Sequence, residues 1–223
     1  MIAGIMSLIG MFVNNRLKAK FQAYDQVSLR KAMTGKEVAE NMLAHYGITD
    51  VQVLQGKGML TDHYNPMTKV VKLSPAIYGK QTVMAAAVAA HEVGHAVQHA
   101  TAYPWLKFRS AIVPLVNMAS VAQGWLLMFA LGMYGGGNNS FFLLITIVAF
   151  IVTTAFAFIT LPVEFDASKR ALAWLAETNV ATGQEFEGAK DALWWAAMTY
   201  VAKALSSLAL LVYLLLKYQN MRR

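Results

Sequence analysis

"VMAAAVAAHEVGHAVQHA", Val83 to Ala100, carries the reading of this chain. Alanine is the strongest helix former, so the stretch predicts a helix, and Pro104 stands just beyond its end. On a helix, His91 and His95 are four residues apart and share a face, so two imidazoles can grip one ion. Glu92 is turned from His91 by about 100°. That keeps it off the ion but beside it, where a carboxylate can take a proton from water at the metal. These are the physical reasons that H-E-x-x-H on a helix is a metallopeptidase signature. Gly94 and the alanine-rich flank also let other helices approach closely.

His99 is a tempting third histidine, and the helix rise argues against it. It lies two turns from His91, about 12 Å along a continuous helix. Metal–nitrogen bonds are only about 2.0–2.1 Å long. The glycine-containing break that turns a third histidine back in the metzincin pattern is absent. His99 is therefore expected behind the ligands or at the surface.

The chain has no cysteine. That excludes disulfides, thiolate metal sites and cysteine nucleophiles, and leaves His, Asp and Glu to hold any transition metal. Imidazole and carboxylate ligands with one position kept open suit zinc, and a catalytic zinc needs three protein ligands. The third is sought in "LPVEFDASKRAL", Leu161 to Leu172, where Glu164 and Asp166 follow an apolar segment. Spacing alone does not choose between them.

The setting is apolar. Hydrophobic residues make up 57% of the 223 and charged residues 14%, against about 45–50% and about 25% in soluble domains. The net charge of +7 comes from lysines and arginines beside apolar stretches, as anchors to an anionic membrane face. No nucleic-acid motif or glycine-rich phosphate loop occurs, so no nucleic-acid partner is expected. Four apolar segments stand out, at 1–13, 111–133, 141–163 and 193–216. The middle two are long enough to cross a hydrocarbon core of about 30 Å and, joined by "YGGGNNS", predict a membrane hairpin. The first is short, and is read as an N-terminal membrane helix extending through "NNRL" or an interfacial anchor. The last holds one charge, Lys203, expected to face the bundle or to snorkel.

The expected organisation is one integral-membrane domain: the 1–13 membrane segment, a metal-binding part at 14–110, a transmembrane hairpin at 111–163, the third-ligand region at 164–192 and a last span at 193–216. Pro162 is expected to break or kink the third apolar helix near its exit. "TGKEVAENMLAHYG" opens with a capping box, Thr34 and Glu37, and closes with Gly47, which predicts a short amphipathic helix. "VQVLQGKGMLTDHYNPMTKVVKLS" alternates and carries an Asn-Pro turn, which predicts a small β-hairpin or meander at the membrane surface. The fold class is thus mainly α, a membrane helical bundle with a zincin-like H-E-x-x-H helix. Two spans separate His95 from Glu164, so both return to one membrane side.

With "TGKEVAENML", "LTDHYNPMTKVVKLSP", "AAHEVGHAVQHA", "VEFDASKRAL" and "GAKDALWWAAMTYVA" in this order, the chain resembles the YugP-type neutral zinc metallopeptidases of bacteria. That family looks related to membrane metallopeptidases of the HtpX and CAAX-prenyl-endopeptidase type. The resemblance implies a zinc endopeptidase with one Zn2+ per chain, held by His91, His95 and Glu164, the glutamate that opens an E-x-x-A-D-like helix. It implies Glu92 as general base. The aspartate that closes the related pattern is Ser168 here, and Asp166 is the natural substitute to orient a zinc-bound histidine. Tyr64 and His63, in "TDHYNP", are candidates for stabilising the oxyanion, and an edge strand there could pair with extended peptide.

The implied partners are a peptide or protein substrate and the lipid bilayer of a bacterial plasma membrane. Arg16, Lys18, Lys20, Arg30, Lys31, Lys107, Arg109, Lys169 and Arg170 flank the side bearing the histidines; Lys217, Arg222 and Arg223 flank the other. This places the active site in the cytoplasm. A rival reading, a membrane scaffold stabilised by zinc, would need no base at Glu92.

Overall fold

The helix that carries the histidines lies at the centre of the structure. In a computed structural model that describes residues 2–58, 61–130 and 140–221, α1 (Ile2–Asp25) and α2 (Gly35–His45) precede three short strands, β1 (Gln52–Gln55), β2 (His63–Asn65) and β3 (Val70–Leu73). Then follow α3 (Pro75–Tyr78), α4 (Val83–Ala100), α5 (Pro104–Ala130), α6 (Ser140–Glu177) and α7 (Gln184–Met221). The architecture is mainly helical, with one small mixed sheet.

Thr82 caps α4 by accepting from the Ala85 N–H. The small residues Ala85, Ala86, Ala87, Ala89 and Ala90 are all buried, so α2, α6 and α7 close around α4 at short range. The capping box of α2 is present as expected, with Thr34 and Glu37 satisfying each other's backbone N–H. Val38, Met42 and Leu43 turn inward to the same core as Val71, Leu73, Val93, Val97 and Trp174.

The sheet has the order β1-β3-β2. β2 and β3 form the expected antiparallel hairpin, and its turn is held by the Asn65 side chain accepting from Met67 and Thr68 N–H. The first strand departs from a meander: β1 pairs parallel with β3 on the far side. β2 is thereby left as an edge beside α4.

Three helices, α5, α6 and α7, are long and apolar enough to cross a membrane. Their outer faces show Leu115, Met118, Val121, Phe141, Val148, Ile151, Leu208 and Val212 to the surroundings. In water such a belt would be costly; against lipid it is the expected surface. α1 is not among these three. It extends well past "NNRL" to Asp25 and packs along α7, where Tyr24 and Lys20 both bind Asp191. Its exposed Ile5, Leu8 and Phe12 continue the apolar belt.

Two expected boundaries move. α6 runs unbroken from Ser140 through Pro162 to Glu177, so the division at 163/164 falls within a helix. Proline gives up one N–H bond, and the helix continues past it with Thr160 buried before and Val163, Glu164 and Ala167 buried after. α7 likewise begins at Gln184, ahead of the apolar part at 193. The "YGGGNNS" turn lies almost wholly outside the described residues.

Candidate metal centre

α4 and α6 cross where Gly94 meets Ala167. A Cβ on Gly94 would lie 2.5 Å from the Ala167 carbonyl oxygen, so only glycine permits this approach. The crossing brings Glu164 of α6 against His91 and His95 of α4. The His91 Nε2 is 3.4 Å and the His95 Nε2 3.6 Å from the Glu164 Oε2. A tetrahedron with bonds of about 2.0–2.1 Å sets its corners about 3.3–3.4 Å apart, so the three atoms are spaced as ligands of one zinc-sized ion. The Glu164 Oε2 is also buried without a hydrogen-bond partner. A buried carboxylate oxygen left bare is costly, and a cation between it and the two imidazoles would satisfy it. Of His, Asp and Glu among the described residues, these three form the one group whose ligand atoms lie within 4.8 Å of one another.

Both histidines are held from behind through the other ring nitrogen. His91 Nδ1 lies 3.0 Å from the Ser168 hydroxyl. His95 Nδ1 lies 3.1 Å from the Gln98 Oε1. Gln98 is fully buried, and its amide donates to the Val163 carbonyl at 2.7 Å and to the Asp166 Oδ2 at 2.8 Å. Those two donations orient the amide so that its oxygen faces His95. His95 then donates from Nδ1 and presents a lone pair at Nε2 to the cluster. Arg170 closes the chain at Asp166 with a 2.6 Å ion pair. Burial disfavours a charged His95, but the hydrogen bond and charge of Glu164, with Glu92 and Gln98, outweigh it and hold its pKa above the ordinary histidine value.

Glu92 stands outside the cluster. It is buried, and its Oε2 accepts from the Tyr64 N–H of β2 at 3.0 Å. A carboxylate thus sits between the edge strand and the ligand face.

The sequence family described as "Putative neutral zinc metallopeptidase" matches residues 1–219. The chain belongs to this family. A Bacillus subtilis (strain 168) protein named "Putative membrane protease YugP" is 39% identical over 207 residues, covering 93% of this chain and 90% of the relative. No solved structure matches. Membership of a zinc metallopeptidase family agrees with the donor set, two imidazoles and a carboxylate, and with the bare Glu164 oxygen.

Of the residues singled out from sequence, His91, His95 and Glu164 come together, and Glu92 is held outside them by the Tyr64 N–H. His99 lies at the exposed end of α4, apart from the cluster, bonded to the Tyr64 hydroxyl at 2.8 Å. Burial, then the charge of Asp50, raises the Tyr64 pKa, so this hydroxyl keeps its proton at neutral pH. His63 is exposed and its ring bonds the Thr61 carbonyl. Asp166 reaches His95 only through Gln98. Ser168, where the related pattern has an aspartate, itself contacts His91. Sequence reasoning missed Gln98, whose signal was its place one turn after His95 on the same helix. Lys203 is exposed and lines a cavity of about 1230 Å³ between α1 and α7, with Asn14, Thr199, Tyr200 and Ser206.

Proposed function

We propose that this protein is a membrane-embedded zinc endopeptidase, with His91, His95 and Glu164 holding one Zn2+ and Glu92 as general base. The observation that carries the reading is Glu92: a buried carboxylate on the helix that carries both histidines, outside the group of three convergent ligand atoms and held by the Tyr64 N–H. A purely structural site needs no such group. When bound, zinc would acidify a water and polarise the scissile carbonyl.

The residues then divide the work. Glu92 takes the proton as the water oxygen bonds to the carbonyl carbon and the carbonyl π pair moves to its oxygen. As the C–N bond breaks, Glu92 returns that proton to the leaving nitrogen. Gln98 and Ser168 hold the two imidazoles so that both Nε2 atoms face Glu164. An extended peptide would pair with the free edge of β2, where its carbonyl competes with Glu92 for the Tyr64 N–H. Substrate docking and release of the base are thereby linked.

The same reading makes the whole chain one domain, in which α5 and α6 form the hairpin that returns Glu164 to α4 and α7 crosses last. The basic residues gathered on the side of the histidines support a cytoplasmic active site in a bacterial plasma membrane. Membrane-proximal polypeptides are the fitting substrates.

The test is to purify the protein in detergent, measure bound metal, and compare wild type with Glu92→Gln on casein. Stoichiometric zinc in both, with cleavage by wild type alone, is the expected result. Zinc in both with no cleavage by either would favour the scaffold reading instead.

A further inference from the structure

Neither tyrosine nor histidine of "TDHYNP" offers a free donor to the cluster: the Tyr64 hydroxyl is engaged by His99 and the His63 ring by Thr61. Hydrolysis through a tetrahedral species leaves negative charge on the former carbonyl oxygen, and a site must meet it with donors placed away from the base. α5 supplies them. Arg109, in the second turn of α5, brings its Nη1 to 3.9 Å from the Glu164 Oε1, the oxygen turned away from the histidines. Its guanidinium rests over the Phe156 ring, 5.9 Å from the centroid, and its side chain is 31% exposed.

This contact is too long for a hydrogen bond. A guanidinium that served only to fix Glu164 would sit in a bidentate pair at about 2.7–2.9 Å. Arg109 instead keeps its fork of donors unspent at the edge of the cluster, and among the described residues no hydrogen bond satisfies them.

We infer that Arg109 is a catalytic residue of this site: its guanidinium donates to the substrate carbonyl oxygen as that oxygen becomes anionic. The inference rests on the zinc-peptidase reading. It also gives the substrate polarity: the carbonyl oxygen points to Arg109 on α5, while the attacking water lies toward Glu92 and β2.

The experiment uses zinc-loaded, detergent-purified wild type, Arg109→Met and Arg109→Lys, with thermal unfolding to verify each fold. Three quantities are read: zinc affinity by chelator competition, kcat and KM on a quenched peptide, and affinity for a peptide phosphinate, whose tetrahedral anion imitates the transition state. Arg109→Met is expected to keep zinc affinity and KM, while kcat and phosphinate affinity each fall by about 100-fold. Arg109→Lys restores part of both. A parallel loss of zinc affinity overturns the inference, because Arg109 then only positions Glu164. Unchanged phosphinate affinity overturns it as well. If wild type binds neither zinc nor phosphinate, it is the zinc-peptidase reading that fails.

Discussion

Gly94→Ala is the most exposing perturbation of this site, because it adds one methyl group at the crossing of the two ligand helices. The new Cβ would meet the Ala167 carbonyl oxygen at 2.5 Å and its carbon at 3.1 Å. Both are backbone atoms, so no side chain can swing aside. Restoring ordinary contact requires α4 and α6 to part by about 0.5 Å or more. Gly94 lies between His91 and His95, and Ala167 between Glu164 and Ser168, so the parting passes directly into the cluster. The present 3.4 and 3.6 Å separations would grow well past the about 3.3–3.4 Å that a tetrahedral ion with bonds of about 2.0–2.1 Å sets between its ligands. Zinc affinity should fall by about 10- to 100-fold, as when a ligand loses its orienting partner. Stability should fall as well: overpacking costs about 1–3 kcal/mol, against about 1 kcal/mol gained by replacing glycine in a helix. The assay is chelator competition for zinc together with tryptophan-monitored thermal unfolding in detergent. Gly124→Ala, where a Cβ meets nothing within 4 Å, is the control and should leave zinc affinity unchanged. A Gly94→Ala protein with wild-type zinc affinity and a raised melting temperature would refute the argument.

Gln98→Leu keeps the volume of the side chain but removes the acceptor that orients His95 and the donor to Val163 and Asp166. Zinc affinity should drop by about 10- to 100-fold, measured by the same competition; an unchanged affinity would show that the buried amide serves packing alone. Zinc binding should also weaken with acid earlier than an ordinary histidine site. Zinc needs neutral His95, and the metal-free His95 holds its proton to a pH above the usual histidine value of about 6.5. Affinity is therefore full above that raised pKa and declines as pH falls through it, by about tenfold per pH unit below it. The metal-free protein has the opposite sign: the stability it owes to protonated His95 is present below about pH 6.5 and lost as pH rises through the raised value. Zinc affinity that stays flat between pH 8 and pH 6 would contradict both statements.

What could be read in the sequence was the local geometry. His91, Glu92 and His95 lie within one helix, and helix periodicity alone assigns two to a shared face and one beside it. The rise per residue alone demotes His99, and the structure places it at the far end of α4. The capping box at Thr34 and the Asn65 turn were legible because their partners are three residues away or fewer. Apolar length marked α5 and α6 as candidate spans, and two crossings between His95 and Glu164 would return both to one membrane side.

Tertiary structure decided whatever depends on which faces of different helices meet. Glu164 and Asp166 are two residues apart, so they point some 200° apart on one helix, and only the rotation of α6 against α4 determines which meets the histidines. That rotation is locked by Gly94 on Ala167. The same rotation hands His91 to Ser168 and routes Asp166 through Gln98, neither of which spacing could show. Arg109 reads in the sequence as one more basic residue beside a span; its place against Glu164 exists only because α5 folds back along α6. Periodicity is a property of one helix at a time, and the site is made where three of them cross.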